Sequence, residues 1–150
     1  MTHMSAKFLV DTNILVYAYD RSEPAKLARA QQLLKWLEGA GAGALSTQVL
    51  GEFFNTATRK LPARLPKREA LFCLYSFLRS WQILDITPQI VLEAGKGSLE
   101  HQLSYWDAQV WATAKLNQIP IVLSEDLSHR SRIEGVMFFN PFEGPVPGEE

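Results

Sequence analysis

Lys7-Phe8-Leu9-Val10-Asp11-Thr12-Asn13-Ile14-Leu15-Val16 lies near the N-terminus. In it an apolar run stops at a carboxylate, a hydroxyl and an amide before a second apolar run begins. A short, unbroken apolar run reads as a strand buried on both faces, as in a parallel sheet. In open α/β sheets the chemistry gathers just past the carboxyl ends of the strands. Asp11 stands where such a strand would hand over to a helix. Asp, Thr and Asn are also preferred helix caps, so this stretch alone leaves a second reading open, in which Asp11 or Thr12 merely starts the next helix. The choice turns on whether other carboxylates occupy equivalent junctions.

Outward from that stretch, strand-like and helix-like segments alternate. Ile14 to Tyr19 reads as a short helix, and Ser22-Glu23-Pro24 opens a longer one with proline in its first turn. Leu27, Ala30, Leu33, Leu34 and Leu37 supply its apolar face, and Gly39-Ala40-Gly41-Ala42-Gly43 ends it. Ala44-Leu45-Ser46 follows as a second strand. The next helix runs from Ser46 or Thr47 to about Lys60, with Glu52, Asn55, Thr56 and Arg59 on its polar face. After the break Leu61–Pro66 comes a helix rich in Leu71, Phe72, Leu74, Tyr75, Phe77 and Leu78. Gln82–Asp85 reads as a third strand, and Thr87-Pro88 opens a helix reaching about His101. Ser104-Tyr105-Trp106-Asp107 opens another, ending near Asn117. Ile119–Leu123 and Val136–Phe139 are the last two strands. Such alternation predicts an α/β fold of three layers, α/β/α, around a mainly parallel sheet of about five strands.

The bulk composition narrows the class. A chain of 150 residues, 47% hydrophobic and 21% charged, is ordinary for one globular domain. A net charge of −1 argues against holding nucleic acid by overall charge, although not against a local basic patch. The single cysteine, Cys73, sits in an apolar run and reads as a small core residue; no internal disulfide is possible. No apolar stretch approaches the roughly 20 residues of a membrane span. Residues 1–6 lack the apolar segment of a secretory signal. The expectation is a single cytoplasmic domain over residues 7–142, with residues 1–6 and the Pro/Gly-rich acidic tail 143–150 flexible.

Three more carboxylates stand at strand–helix junctions of two kinds. Asp126 follows the strand Ile119–Leu123, and Glu52 and Asp107 sit early in helices that follow loops. Each has a plain alternative. Ser104 with Asp107 resembles a capping box, Glu52 lies on a solvated helix face, and Asp126 could cap whatever follows its strand. Four carboxylates in one crevice would repel one another unless cations neutralise them. Hard oxygen ligands suit Mg²⁺ or Mn²⁺. Such ions can polarise a phosphodiester, activate water and stabilise the leaving oxygen. None of His3, His101 and His129 falls at a strand end, and all three read as surface residues.

Four stretches carry a resemblance: Val10-Asp11-Thr12-Asn13-Ile14-Leu15, Glu52 within Ser46–Phe53, Ser104-Tyr105-Trp106-Asp107-Ala108, and Leu123-Ser124-Glu125-Asp126-Leu127. In residue type and order they resemble the four acidic motifs of the PIN-domain family. Ile133-Glu134-Gly135-Val136 and Asn140-Pro141-Phe142 are similar to the tail of bacterial members of the VapC toxin type. The resemblance implies a PIN-like fold and a metal-dependent endoribonuclease, the toxin of a type II toxin–antitoxin pair. Asp11, Glu52, Asp107 and Asp126 would then bind Mg²⁺ or Mn²⁺, and Thr12, Asn13 and Ser124 would orient ligands or water. It also implies an antitoxin protein as partner and a homodimer, with the first two helices as a candidate surface.

Arg59, Lys60, Arg64, Lys67 and Arg68 gather five basic residues in ten positions and are candidates for holding RNA phosphates. Arg130 and Arg132 are weaker candidates. Tyr17, Tyr19, Trp36, Trp81, Trp106 and Trp111 are candidates for base stacking, though most suit a core better. Two other readings compete. One is a non-cleaving PIN-like module that binds a partner protein or RNA. The other is phosphoryl transfer through an aspartyl-phosphate, which lacks a catalytic lysine near a later strand.

Overall fold

The run Phe8-Leu9-Val10 becomes β1 (Phe8–Val10), all three residues buried, in the middle of a six-stranded sheet. The structure, a computed structural model, describes residues 6–149. In chain order it continues with α1 (Thr12–Tyr17), α2 (Pro24–Ala40), β2 (Gly43–Ser46), α3 (Thr47–Arg59) and α4 (Lys67–Ser80). There follow β3 (Gln82–Leu84), α5 (Pro88–His101), α6 (Tyr105–Leu116), β4 (Ile121–Leu123), β5 (Arg132–Ile133) and β6 (Val136–Phe139). The sheet order is β3-β2-β1-β4-β6-β5, with every pairing parallel except β5 with β6. The α/β/α expectation therefore holds.

Period-two alternation along the strands builds two cores. Phe8, Val10, Leu45, Leu123 and Phe139 face the layer of α1 to α4, around Leu33, Leu37, Phe53 and Phe77. Leu9, Ala44, Val122 and Phe138 face α5 and α6, around Ile90, Val110 and Trp111. Gly97 lets those two helices meet closely, since a Cβ there would lie 2.3 Å from Cζ3 of Trp111. Among the described residues no helix is long and apolar enough to cross a membrane.

Six strands replace the expected five. The addition is β5, which pairs with the expected β6 in a hairpin whose two-residue connection places Glu134 and Gly135 at φ 48° and 86°, the left-handed conformations of a tight primed turn. A two-residue strand is too short to show alternation in sequence. Helix α1 starts at Thr12, earlier than Ile14, because Asp11 caps it: the Thr12 N–H donates to Asp11 Oδ1 at 2.8 Å.

Where the sequence suggests a loose tail, residues 143–149 pack onto α2. Val146 is buried, and Arg29 reaches Glu149 Oε2 at 2.5 Å while donating to the carbonyls of Pro141 and Gly144. The flexibility expected for residues 1–5 and Glu150 lies outside the described residues, as does His3; Ala6 is buried. His101 and His129 are half-buried rather than on the surface. The former meets Glu134 and the Trp111 ring, and the latter accepts from the Asn140 N–H and packs on Phe139. Cys73 is buried as a core residue.

Candidate active site

Strands β1 and β4 are neighbours, so their carboxyl ends deliver Asp11 and Ser124 side by side. The Asp11 N–H donates to the Leu123 carbonyl at 2.9 Å, and Ser124 Oγ donates to Asp11 Oδ2 at 2.8 Å. Asn13, the second residue of α1, ties the next carboxylate to this pair. Its Nδ2 donates to Ser124 Oγ at 3.2 Å and to Asp126 Oδ2 at 3.0 Å, while its Oδ1 accepts from the Glu125 N–H at 3.1 Å.

From the other side, Ser46 caps α3 by accepting from the Val49 N–H, which starts the helix at the sheet edge and brings Glu52 over it in the second turn. Thr12 Oγ1 donates to Glu52 Oε1 at 3.1 Å. Ser104 caps α6 by accepting from the Asp107 N–H at 3.2 Å. Asp107 does not complete a capping box among the described residues; it faces the same pit instead.

The result is one pit of about 110 Å³ lined by Asp11, Glu52, Asp107 and Asp126, with Thr12, Asn13, Gln48, Trp106 and Val110. Burial is the main influence on Asp11, whose pKa is pushed up from 3.8 to about 6. The bonds from Ser124 and Thr12 oppose that rise, and the nearby charges of Asp107 and Glu52 add to it. Among the described residues no Lys, Arg or His nitrogen lies within 4.0 Å of any of the four carboxylates.

The donor set is all oxygen, and hard divalent cations take such a set. These residues therefore fit Mg²⁺ or Mn²⁺. Among the described residues the one trio with ligand atoms all within 4.8 Å of one another is elsewhere, at Glu100, His101 and Glu134. There Lys115 already pairs with Glu134. The pit carboxylates stand farther apart, a spacing that suits ions keeping part of their water shell.

The sequence reading missed two residues here. Gln48 donates to Glu52 Oε1 at 3.1 Å and accepts from Gln109 at 2.9 Å; Gln109 in turn accepts from the Tyr105 hydroxyl at 2.7 Å. The available signal is one of spacing: Gln48 precedes Glu52, and Gln109 follows Tyr105, by one helical turn. The basic group Arg59, Lys60, Arg64, Lys67 and Arg68 is exposed on the end of α3, the following loop and the start of α4, and none of it lines the pit. Neither Arg130 nor Arg132 lines it. Of the aromatic candidates, Trp81 and Trp111 are core and Tyr17, Tyr19 and Trp36 half-buried, whereas Trp106 is 61% exposed at the pit itself.

A mainly parallel sheet between helical layers, with an acidic pit at its carboxyl edge, defines an α/β protein with an acidic centre. Residues 8–132 match the family model described as PIN domain, and the chain belongs to that family. Solved structures agree in fold. A toxin–antitoxin complex from Klebsiella pneumoniae superposes with TM-score 0.64 at 21% identity, over 92% of this chain and 98% of that one. DNA-bound VapBC from Salmonella typhimurium gives 0.65 at 18%, over 89% and 96%. VapC20 of Mycobacterium tuberculosis, described as a toxin cleaving the sarcin–ricin loop, gives 0.60 at 18%, over 77% and 86%. A search of curated proteins found no match.

Proposed function

We propose that this PIN-domain protein is a VapC-type toxin: a cytoplasmic endoribonuclease that uses Mg²⁺ or Mn²⁺ to hydrolyse RNA phosphodiester bonds and is held in check by a cognate antitoxin. The observation carrying this reading is the pit itself, where four carboxylates from separate elements converge with no cationic side chain to neutralise them. Asp11, Glu52, Asp107 and Asp126 would hold the ions, which when bound activate water and offset charge on the phosphodiester. Thr12 and Gln48 fix the Glu52 carboxylate, and Asn13 and Ser124 fix those of Asp126 and Asp11, so the acids are oriented before any ion arrives. Trp106 offers an exposed ring at the pit on which a base can stack. Arg59, Lys60, Arg64, Lys67 and Arg68 lie far enough along α3 and beyond to hold phosphates distant from the cut.

In the first two helices Ile14, Leu15, Val16, Leu33 and Leu37 are spent on the core, and Leu27 and Leu34 stay half-buried. Helix α4 instead turns Leu71, Phe72, Tyr75 and Leu78 outward, which supports an antitoxin contact there. Val91, Leu92 and Leu99 on α5 are likewise exposed and support a homodimer contact.

Incubating the protein with a mixed RNA pool plus Mg²⁺ or Mn²⁺, beside an EDTA control and an Asp11→Asn variant, tests the reading. Cleavage by the wild type alone, and only with metal, is expected. Equal cleavage by Asp11→Asn would refute it, and tight RNA binding without cleavage would favour the non-cleaving module.

A further inference from the structure

A second depression opens beside the pit. It has a volume of about 350 Å³, shares Thr12, Asn13 and Asp126 with the pit, and runs between α1 and α3 past Val16, Tyr17, Asp20 and Thr56. Thr56 follows Glu52 by one turn of α3, so the two side chains lie on one face about 6 Å apart along the axis. A chain segment whose phosphate sits at the acidic pit therefore has its neighbouring nucleotide at this groove.

Two polar groups in the groove have work left to do. Asp20 is only 9% exposed, and its Oδ1 accepts from the Ser22 N–H at 3.0 Å and from Ser22 Oγ at 2.6 Å. Its Oδ2 accepts nothing among the described residues, yet no side-chain oxygen there is left both sealed and unpaired, so Oδ2 reaches solvent, and Asp20 lines the groove. The Thr56 hydroxyl is in the same position. Glu125, by contrast, is already engaged by Tyr17 at 2.6 Å and by Lys26.

No cationic side chain lines the groove, and Asp20, Glu125 and Asp126 do. A phosphate is repelled from such a wall, whereas a base edge rich in N–H donors is attracted. We propose that this groove holds the nucleotide next to the scissile phosphate and that Asp20 and Thr56 read its base as guanine. Guanine places the N1–H and the exocyclic amine side by side toward a carboxylate, with O6 beside them to accept from the Thr56 hydroxyl. Uracil offers one N–H flanked by two carbonyls, which face the carboxylate unfavourably. Val16 and Tyr17 supply the apolar lining against the base. The inference rests on the ribonuclease reading for the identity of the ligand.

The test uses the wild-type protein and the variants Asp20→Asn and Thr56→Val. The probes are uridine hexaribonucleotides carrying one guanosine, one inosine or neither. Binding is followed by fluorescence anisotropy in Ca²⁺, and cleavage in Mn²⁺. Asn retains a carbonyl for the two Ser22 bonds but presents an amide donor where donors should enter, and Val keeps the shape of Thr. Unchanged melting temperatures confirm that both variants fold.

The wild type should bind the guanosine oligomer about tenfold more tightly than the inosine or all-uridine ones, as expected for one well-placed base contact. Asp20→Asn should reduce both ratios to within about twofold, whereas Thr56→Val should reduce the ratio over the all-uridine oligomer and leave that over inosine, which keeps O6, unchanged. Equal affinity for the three oligomers in the wild type, no binding at all, or a preference surviving in both variants overturns the inference. Cleavage without base preference sinks it alone. Base-dependent binding without cleavage leaves it standing and sinks the nuclease reading instead.

Discussion

Burial sets the behaviour of Asp11 more than any partner does, and it gives the metal-free protein a signature in pH. A carboxyl group whose pKa rises from 3.8 to about 6 on folding contributes stability that is fully present below pH 3.8 and lost as pH climbs through 6. The amount is roughly 3 kcal/mol. Asp11→Asn should remove this dependence: in EDTA the wild type loses melting temperature from about pH 4 to pH 7.5 relative to the variant. Mn²⁺ at pH 7.5 should restore the wild type and leave the variant unmoved, since a ligand that binds only the folded state stabilises it. In the RNA assay the same substitution should lower cleavage at least about a hundredfold. Identical melting curves against pH would contradict the account of Asp11. The four carboxylates were legible from sequence because each stands at a strand end or in an early helical turn. Gln48 and Gln109 were not, because a glutamine on a helix face looks solvated until the facing helix brings its partner to 2.9 Å.

Elements were legible wherever burial imposed a pattern long enough to see. The five strands read from apolar runs are all present, and the glycine cluster before β2 and the Thr87-Pro88 start of α5 fall where expected. What failed was short or outward-facing. Strand β5 depends on the turn at left-handed Glu134 and Gly135, not on any apolar run of its own. Helix α4 buries Ala70, Cys73 and Phe77 and leaves Leu71, Phe72, Tyr75 and Leu78 outside, so apolar content alone could not say which face was core. That division predicts a separation of effects. Phe72→Glu, at a residue 71% exposed, should change stability by no more than about 0.5 kcal/mol while abolishing capture of the cognate antitoxin in co-purification. Gly97→Ala should do the reverse. A Cβ lying 2.3 Å from Trp111 forces α5 and α6 apart, at about 1–3 kcal/mol in a denaturant midpoint. A Gly97→Ala protein as stable as the wild type would show that the two helices pack with slack.

At the scale of the whole molecule, the C-terminal tail is tied to the region of the pit through a chain of contacts that no local sequence pattern reveals. Arg29 on α2 grips Glu149 with two nitrogens and the tail carbonyls with the rest of its fork. Phe142, just before the tail, packs edge-on against Tyr17 at 5.2 Å, and Tyr17 donates to Glu125, whose own N–H is held by Asn13 of the pit. Beside the tail a groove of about 460 Å³ opens over α2, larger than the pit, but its arginine is already committed to the tail. The Arg29 guanidinium beside Glu149 holds that carboxyl below its usual 4.5. Its stabilising contribution is therefore present above pH 4.5 and lost as pH falls through the lowered value, the opposite sign to Asp11. Arg29→Met would strand a nearly buried carboxylate and two carbonyls, which should cost about 2–4 kcal/mol at neutral pH. Because Glu149 becomes protonated in acid, the deficit relative to wild type should shrink as pH falls below the usual 4.5. Amide exchange localises the effect: the Val146 N–H, which donates to Glu149 Oε1 at 3.0 Å, should lose protection in the variant, while the strand amides of β1 and β4 should keep theirs. Full protection at Val146 in the Arg29→Met protein would mean that the tail is held by Val146 and Phe142 packing alone and that the arginine fork contributes nothing to its docking.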